Sequence, residues 1–182
     1  MRIIRANLQG DFTPALTAAL LVLRAGGVIV YPTDTIYGLG TNACDFKAVE
    51  QVYKIKQRPL VKPLSIIARN LAWVRSLAYT TPKLEQLLAQ FWPGTVTAVL
   101  AKREILPSVL TANASCVGIR IPDYPFAEQL LAKFGYPLTT TSANLSGEEG
   151  TGDIKAIVTA FKNQLWKPDL IIDAGNLKKS KP

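Results

Sequence analysis

The sequence of 182 residues has no histidine, and its only two cysteines are Cys44 and Cys116. Without histidine, Ser-His-Asp and Cys-His catalytic groups and histidine-based zinc sites are excluded. The two cysteines lie too far apart in sequence for a C-x-x-C metal site, and they do not form a disulfide scaffold. Any chemistry must therefore use lysine, arginine, hydroxyl, amide, carboxylate and backbone N–H groups.

Long apolar segments are also missing. The longest apolar run, roughly residues 15–23, is too short and too interrupted to span a bilayer. Residues 1–5 have neither the apolar region nor the cleavage site of a signal peptide. We therefore predict a cytoplasmic protein that makes no membrane contact.

The composition is that of a globular protein, because 48% of the residues are hydrophobic. The length predicts a single domain over residues 1–182. The formal net charge of +8 indicates either anionic partners, such as nucleotides, nucleic acid or phosphorylated substrates, or a solubilising surface. Charge alone does not decide between these two interpretations.

Predicted helices and strands alternate along the chain without repeats or linkers. Strands are predicted at 1–5, 28–31, 64–67, 95–100, 116–121, 138–141 and 170–172. Helices are predicted to begin at a cap before Pro14, after Asp45 and at Thr81-Pro82, and to cover 125–133 and 154–161. This alternation favours a layered α/β domain.

Three cations lie close together at the end of the second predicted helix. Lys56 shares the apolar stripe of Val49 and Tyr53, so we expect it to point along the protein body and to have an anionic partner. Arg58 and Lys62 follow the helix, with no acidic residue between the three cations. They form a candidate clamp for phosphate or carboxylate. Cations that favour a helix C-terminus are the alternative.

A hydroxyl-rich segment, residues 139–147, begins within the strand predicted at 138–141 and continues beyond its end. It places Thr140, Ser142 and Asn144 at the carboxyl end of that strand, where ligands of α/β folds usually bind. Serine and asparagine can bind phosphate oxygens or a ribose. An ordinary turn stabilised by asparagine and serine is the alternative.

Two further segments contain candidate ligand-binding side chains. The segment Pro-Thr-Asp-Thr-Ile-Tyr-Gly-Leu-Gly at 32–40 connects two strands, with glycines that permit close backbone approach. Its glycine spacing matches no dinucleotide fingerprint and no phosphate-binding loop. Arg120 stands between two isoleucines in a predicted strand, where it either binds a substrate carboxylate or lies on the surface.

Together these segments resemble the YrdC family of threonylcarbamoyl-AMP synthases over about residues 24–175. The segment at 32–40 is similar to the family's opening signature. Lys56 and Arg58 match its K-x-R pair, and Ser142 and Asn144 match its S-x-N pair. These four residues make up the family's characteristic catalytic tetrad, and they occur here in family order.

The resemblance implies a twisted mixed β-sheet flanked by helices, with an open, positively charged cavity. It implies a nucleotidyltransferase that uses L-threonine, bicarbonate and ATP, with Mg²⁺ bound to the nucleotide and no other cofactor. The products are threonylcarbamoyl-AMP and pyrophosphate. A separate transferase then uses the adenylate to form threonylcarbamoyladenosine in tRNA, and the basic surface offers an RNA contact.

The resemblance also assigns roles to individual residues. ATP binding is assigned to five residues: Arg58, Lys62, Cys116, Ser142 and Asn144. Binding of threonine or its carbamate is assigned to Thr35, Arg120 and Thr140. Lys56 is expected to order the anionic centre between them, and no side chain is expected to bind a metal.

The sequence departs from the family pattern at three places. Cys116 stands where a threonine is common, and Ile67 where many members have a histidine. The family usually continues into a Pro-Ser-Thr-Val-type strand, whereas this sequence ends at Lys181-Pro182. We therefore expect either a chain truncated before that strand or a natural short variant.

Three alternatives remain at this stage. The first is a relative that keeps the fold without the reaction, and the second is the carbamoyl-transfer domain of hydrogenase maturation proteins, whose cysteine-rich zinc modules this sequence lacks. The third is an RNA-binding module of the same fold that acts in tRNA or rRNA maturation. No RNP-like aromatic motif supports the third.

Overall fold

The computed structural model describes residues 1–177, which form eight strands and six α-helices. The strands are β1 Arg2–Arg5, β2 Ile29–Tyr31, β3 Gly38–Gly40, β4 Ser65–Ile67, β5 Ala98–Ala101, β6 Cys116–Arg120, β7 Leu138–Ser142 and β8 Leu170–Asp173. The helices are α1 Thr13–Arg24, α2 Phe46–Lys56, α3 Leu71–Leu77, α4 Pro82–Leu88, α5 Pro125–Phe134 and α6 Ile154–Lys162, and a 3₁₀ turn covers Ser108–Thr111. This α/β organisation confirms the predicted fold class.

All eight strands belong to one mixed sheet with the order β1-β8-β2-β3-β7-β4-β6-β5. Strands β1, β8 and β2 are mutually parallel, as are β4 and β6, whereas β3, β7 and β5 pair in antiparallel fashion with their neighbours. Strand β7 therefore lies in the middle of the sheet, between β3 and β4. This position brings the segment at 32–40 next to the hydroxyl-rich segment.

Helices cover the sheet on both faces and create two apolar cores. Helices α1 and α5 pack on one face, against β2, β7 and β8 residues that include Ile29, Leu138 and Ile172. Helices α2 and α6 contribute to the core on the other face, which contains Val30 and Ile171. Because successive residues of a strand point to opposite faces, adjacent apolar residues of one strand serve both cores.

The two ends of α2 determine the position of Lys56. Asp45 caps the helix by accepting a hydrogen bond from the Ala48 N–H, as predicted. The helix ends at Lys56 because Gln57 adopts a left-handed conformation with a φ of 50°. The last turn therefore stops with Lys56 on the buried stripe, just before the loop that contains Arg58.

Three local features differ from the sequence-based prediction. Thr13 is the first residue of α1 rather than its cap, because the capping position is Phe12 and its side chain makes no cap bond. Strand β5 begins at Ala98 rather than at residue 95. Helix α3 was not predicted, although Asn70 caps it by accepting from the Trp73 N–H. Its seven residues are too few for a clear helical period.

Some predictions concern residues beyond 177. The basic tail Lys178, Lys179 and Lys181 and the expected end of the sheet lie outside the described residues. The single domain over residues 1–182 stays a prediction. No helix within residues 1–177 has the length and apolar character needed to cross a membrane, and the cytoplasmic location stays a prediction.

Candidate functional site

A cavity of about 200 Å³ opens on the sheet where β3, β7, β4 and β6 lie side by side. Residues with hydroxyl groups dominate its lining, and one arginine is present. The lining residues are Thr33, Thr35, Ile36, Tyr37, Gly38, Ser65, Thr97, Arg120, Thr140, Thr141 and Ser142. Such a lining suits a small polar ligand that carries a negative charge.

Strand register explains why space exists at this point. Thr140 in β7 lies opposite Ser65 in β4, and the pairing of β4 with β6 continues the same row to Gly118. Residues opposite one another share a face of the sheet. A side chain at Gly118 would come within 2.6 Å of the Ser65 hydroxyl oxygen. Small residues in this row thus leave the sheet uncovered and create the floor of the cavity.

Arg120 forms one wall of the cavity from the end of β6. Its Nε donates to the Gly94 carbonyl at 2.7 Å, and its Nη2 donates to the Asp34 carboxylate in an ion pair. The arginine is 8% exposed, so its orientation is fixed by these two contacts. Of its five N–H donors, three remain beyond these contacts for a carboxylate ligand.

Thr35 lies in the tight connection between β2 and β3. The Thr33 hydroxyl donates to the Ile36 carbonyl at 2.5 Å and accepts from the Thr35 N–H at 3.1 Å. The Thr33 and Thr35 hydroxyl oxygens are also 3.1 Å apart. Because Thr33 has already donated its only hydroxyl hydrogen, Thr35 must be the donor of that bond. The Thr35 oxygen can therefore offer only lone pairs to a ligand.

Lys56 lies beneath the cavity and is 1% exposed. Its Nζ donates to the carbonyl oxygens of Ser142 and Asn144 at 2.6 and 2.8 Å, and to Asn144 Oδ1 at 3.2 Å. These three bonds use all the donors of an ammonium group. Burial, and next the charge of Arg58, lower the pKa of Lys56 to about 8. These three acceptors are neutral oxygens rather than the anionic partner that we expected, and through them Lys56 anchors the turn that follows β7.

The turn containing Ser142 and Asn144 is fixed from several directions. The Asn144 amide nitrogen donates to the Leu145 and Glu148 carbonyls at 2.9 and 2.7 Å. The Ser146 N–H donates to the Lys56 carbonyl at 2.7 Å. The side chain and the main chain of Lys56 therefore hold both ends of the turn, while Ser142 lines the cavity.

Arg58 and Lys62 lie in the loop after α2 and do not line the cavity. Arg58 is half-buried and donates from Nε to the Lys62 carbonyl at 3.1 Å and from Nη2 to the Pro63 carbonyl at 2.9 Å. The Lys62 side chain is exposed. The Tyr53 hydroxyl also donates to the Lys62 carbonyl, at 3.0 Å, and so connects this loop to α2.

Cys116 begins β6, opposite Ala101 of β5, and is partly exposed. Arg120 is four positions further along the same strand, which corresponds to about 13 Å. Because the spacing is even, both side chains lie on the same face of the sheet. Cys116 does not line the cavity, and a ligand that reached both residues would have to extend along β6.

Two tyrosines of the site were not identified from the sequence. The Tyr37 hydroxyl donates to the Gly175 carbonyl at 2.7 Å and accepts from the Ala174 N–H at 2.9 Å. Burial raises the pKa of Tyr37, so it remains a neutral link between the cavity and the chain after β8. Tyr31 is completely buried on β2, with its ring over Gly38 and Gly40 of β3. Both tyrosines flank the segment that we singled out for its threonines and glycines.

The structure therefore brings together one part of the predicted set. Thr35, Arg120, Thr140 and Ser142 surround one cavity, and Lys56 and Asn144 support it from below. The other three predicted residues are Arg58, Lys62 and Cys116, which lie outside the lining. Their roles stay predictions, as does the positive charge of the cavity.

Comparisons with known proteins show the family of this chain. The family model Sua5_yciO_yrdC, described as telomere recombination, matches residues 21–182. The threonylcarbamoyl-AMP synthase of Bos taurus is 39% identical, over 92% of this chain and 59% of its own length. That of Photorhabdus laumondii subsp. laumondii is 35% identical, over 94% of this chain and 91% of its own length.

A solved structure resembles the fold closely. The crystal structure of P. abyssi Sua5 complexed with L-threonine superposes with a TM-score of 0.89 and 32% identity, and it covers 97% of this chain and 51% of that one. The chain spans between 40% and 72% of the length of the first four curated relatives that it matches. Matched in both sequence and structure, this chain belongs to the Sua5/YciO/YrdC family.

Proposed function

We propose that this protein is an L-threonylcarbamoyladenylate synthase, a nucleotidyltransferase. It converts L-threonine, bicarbonate and ATP into threonylcarbamoyl-AMP and pyrophosphate. The observation that carries the proposal is the cavity in which Thr35, Arg120, Thr140 and Ser142 meet. Several relatives are named threonylcarbamoyl-AMP synthase, and one related structure holds L-threonine.

The reaction suits a site without histidine. The threonine amine and bicarbonate first give threonine carbamate with loss of one water molecule, and this carbamate is already an anion. One carbamate oxygen attacks the α-phosphorus of ATP, a new P–O bond forms, and the bond to pyrophosphate breaks. No strong protein base is needed, so positioning and charge stabilisation are sufficient.

Arg120 and Thr35 offer complementary groups to the amino acid. The remaining Arg120 donors bind the carboxylate of threonine, and Asp34 keeps the guanidinium in place. The Thr35 oxygen, which has only lone pairs to offer, accepts a hydrogen bond from an N–H or O–H group of the substrate. Thr140 binds the same substrate from the opposite wall.

Arg58 and Ser142 bind the phosphates and the adenylate, with Lys62 and Cys116 as further contacts. Asn144 was expected to share this role, but both of its amide hydrogens are donated to the Leu145 and Glu148 carbonyls, so it supports the turn that carries Ser142 instead. Three of the five Arg58 donors remain beyond its two bonds to described residues. The nucleotide enters as its Mg²⁺ complex. Within residues 1–177 no group of three or more acidic, cysteine or histidine residues is arranged to hold a metal ion. In the proposed reaction the phosphate oxygens of the nucleotide would hold the Mg²⁺.

Lys56 acts by holding the Ser142–Asn144 turn in position. Its three donors are used by that turn, so it supports the phosphate site without contacting the substrate. The adenylate then passes to a separate transferase for tRNA modification. The RNA-binding module that we considered from the sequence is not favoured by the comparisons, because the relatives are named synthases.

The experiment is threonine-dependent release of pyrophosphate by the purified protein with Mg-ATP. We expect release that needs both threonine and bicarbonate, and that slows at least about tenfold in Ser142→Ala, which removes a donor from the cavity wall. Ser76→Ala is the matched control, because the Ser76 hydroxyl donates to the Trp73 carbonyl on the exposed surface of α3. Release that ignores threonine or bicarbonate would contradict the proposal.

A further inference from the structure

The Tyr31 ring lies over the neighbouring strand β3 and does not itself line the cavity. Tyr31 in β2 lies opposite Gly38 in β3, and Ile29 lies opposite Gly40. A side chain at Gly40 would come within 2.7 Å of Tyr31 Cε1, and one at Gly38 within 3.3 Å of the Tyr31 oxygen. Because Gly38 and Gly40 have no side chains, the Tyr31 ring packs directly on the main chain of β3, with its hydroxyl directed towards β7.

The hydroxyl of Tyr31 ends in an unusual position. The side chain is completely buried, and among the described residues its oxygen is the one buried side-chain polar atom without a hydrogen bond. The Thr140 side chain lies beside it without reaching hydrogen-bond geometry. Buried polar groups almost always have a partner, so this one calls for a reason.

The surroundings keep this hydroxyl protonated. Burial raises the pKa of Tyr31 to about 12, although Thr140 and the charge of Arg120 oppose that effect. Asp34, the ion-pair partner of Arg120, acts in the same direction as burial. Tyr31 is therefore a hydrogen-bond donor at every pH at which the protein would work.

We propose that Tyr31 is a positioning residue that donates its hydroxyl hydrogen to Thr140 Oγ1 when the cavity binds its substrate. Thr140 then directs its own hydroxyl hydrogen to a negatively charged oxygen of threonine or its carbamate. The inference rests on the proposed function, since it takes an amino-acid anion as the ligand. A donor to Thr140 makes Thr140 a stronger donor in turn, because linked hydrogen bonds polarise one another.

This role explains a part of the sequence that the catalytic tetrad does not. If the ring served only to fill space, phenylalanine would do so without a buried hydroxyl that lacks a partner. The glycines at 38 and 40 matter for the same reason, because they allow the ring to pass over β3. Tyr31 and the two glycines thus act together to direct the Tyr31 hydroxyl towards Thr140.

Tyr31→Phe tests this role, because the ring keeps its place and only the hydroxyl is removed. By titration calorimetry with L-threonine, we expect the affinity to fall roughly fivefold to tenfold. The thermal stability should not fall, since the hydroxyl has no hydrogen bond to lose. In a Thr140→Val background, Tyr31→Phe should have no further effect, because the acceptor is gone.

Tyr136→Phe is the matched control, because Tyr136 is 51% exposed and packs on Phe134 away from the cavity. It should bind threonine as the unchanged protein does. Equal affinities of the unchanged protein and Tyr31→Phe would overturn the role of Tyr31 alone, as would an undiminished effect in the Thr140→Val background. Failure of the unchanged protein to bind threonine would overturn both this role and the proposed function.

Discussion

The residues assigned to threonine and those assigned to phosphate are held in different ways. Thr35, Arg120 and Thr140, the cavity half of the site, project from strands or a tight strand connection into one cavity. Arg58 and Lys62, the loop half, follow the end of α2, where Arg58 donates to carbonyls of its own loop. The first set is fixed by sheet register, and the second by local main-chain contacts.

This difference teaches how much each half must change when a ligand binds. Arg120 is held by a main-chain carbonyl and by Asp34, and it already lines the cavity. To bind a phosphate, Arg58 has to turn its remaining N–H donors towards it, or break a hydrogen bond to one of its two carbonyl acceptors and donate to the phosphate instead. We expect threonine binding to need little rearrangement, whereas nucleotide binding reorients the loop half.

The largest effect should come from the residue that connects the two halves. Lys56→Met keeps the apolar stem but leaves the Ser142 and Asn144 carbonyls without their donor. We expect pyrophosphate release to fall at least about 100-fold, and the free energy of unfolding to fall by about 1–3 kcal/mol. Lys47→Met is the control, because Lys47 is exposed on the same helix. Normal release by Lys56→Met would show that the turn needs no anchor.

Separate substitutions of the two arginines should separate the halves. Arg120→Gln should raise the KM for threonine by about tenfold to 100-fold, because it removes a charged donor to the carboxylate, and leave the KM for ATP nearly unchanged. Arg58→Gln should do the reverse. Steady-state kinetics with each substrate varied in turn measure both effects. Equal changes in both KM values for either variant would contradict the division into halves.

The pH dependence of pyrophosphate release should show whether the protonated form of Lys56 is needed. The pKa of Lys56 is about 8 in the folded protein, so above that pH the amine loses one of its three donors. We expect pyrophosphate release to fall by roughly tenfold for each pH unit above about 8. Release that stays constant from pH 7.5 to 9.5 would show that the third donor is dispensable.

Stability should move in the opposite direction over the same range. The pKa of Lys56 is lowered to about 8 in the folded protein from the ordinary lysine value of 10.5, so between these two pH values the unfolded chain binds a proton that the folded chain has lost. The contribution of Lys56 to the free energy of unfolding therefore increases as the pH rises through this range. Denaturant unfolding at several pH values should show this gain, and Lys56→Met should lack it.

The smallest effect should come from Gly40, one of the two glycines on which the Tyr31 ring packs. Gly40→Ala would bring a methyl group within 2.7 Å of the Tyr31 ring and 2.9 Å of the Thr139 carbonyl. We expect unfolding to need about 1–3 kcal/mol less, with weaker threonine binding and unchanged nucleotide binding. Gly135→Ala is no suitable control, because Gly135 has a φ of 84° and would be strained for another reason. If Gly40→Ala were as stable as the unchanged protein, the Tyr31 ring could not lie against Gly40 as described.

Much of the fold could be predicted because local signals were strong. Asp45 at the start of α2 and the apolar stripe that ends at Lys56 predicted both the helix and the burial of the lysine. The strand at Arg120 and the carboxyl end of β7 likewise followed from alternation and turn residues. These features depend on neighbours within a few residues, which is the range that sequence patterns describe best.

The remaining features depend on partners that are distant in sequence. The acceptors of Lys56 lie 86 and 88 residues further along the chain. Asp34 meets Arg120 across the same separation of 86 residues, and no spacing rule relates them. The direction of Arg58 depends on a loop whose carbonyls became known only with the structure. The role of Tyr31 needed the register of β2 with β3, which the sequence alone does not provide.

The most direct test of the central claim follows the carbon of bicarbonate. The protein is incubated with labelled bicarbonate, L-threonine and Mg-ATP, and the nucleotide products are separated by chromatography. We predict that label appears in an AMP-containing product only when threonine and ATP are both present, in a one-to-one ratio with released pyrophosphate. Pyrophosphate released without label in an adenylate, or no labelled adenylate at all, would contradict the claim that this cavity forms threonylcarbamoyl-AMP.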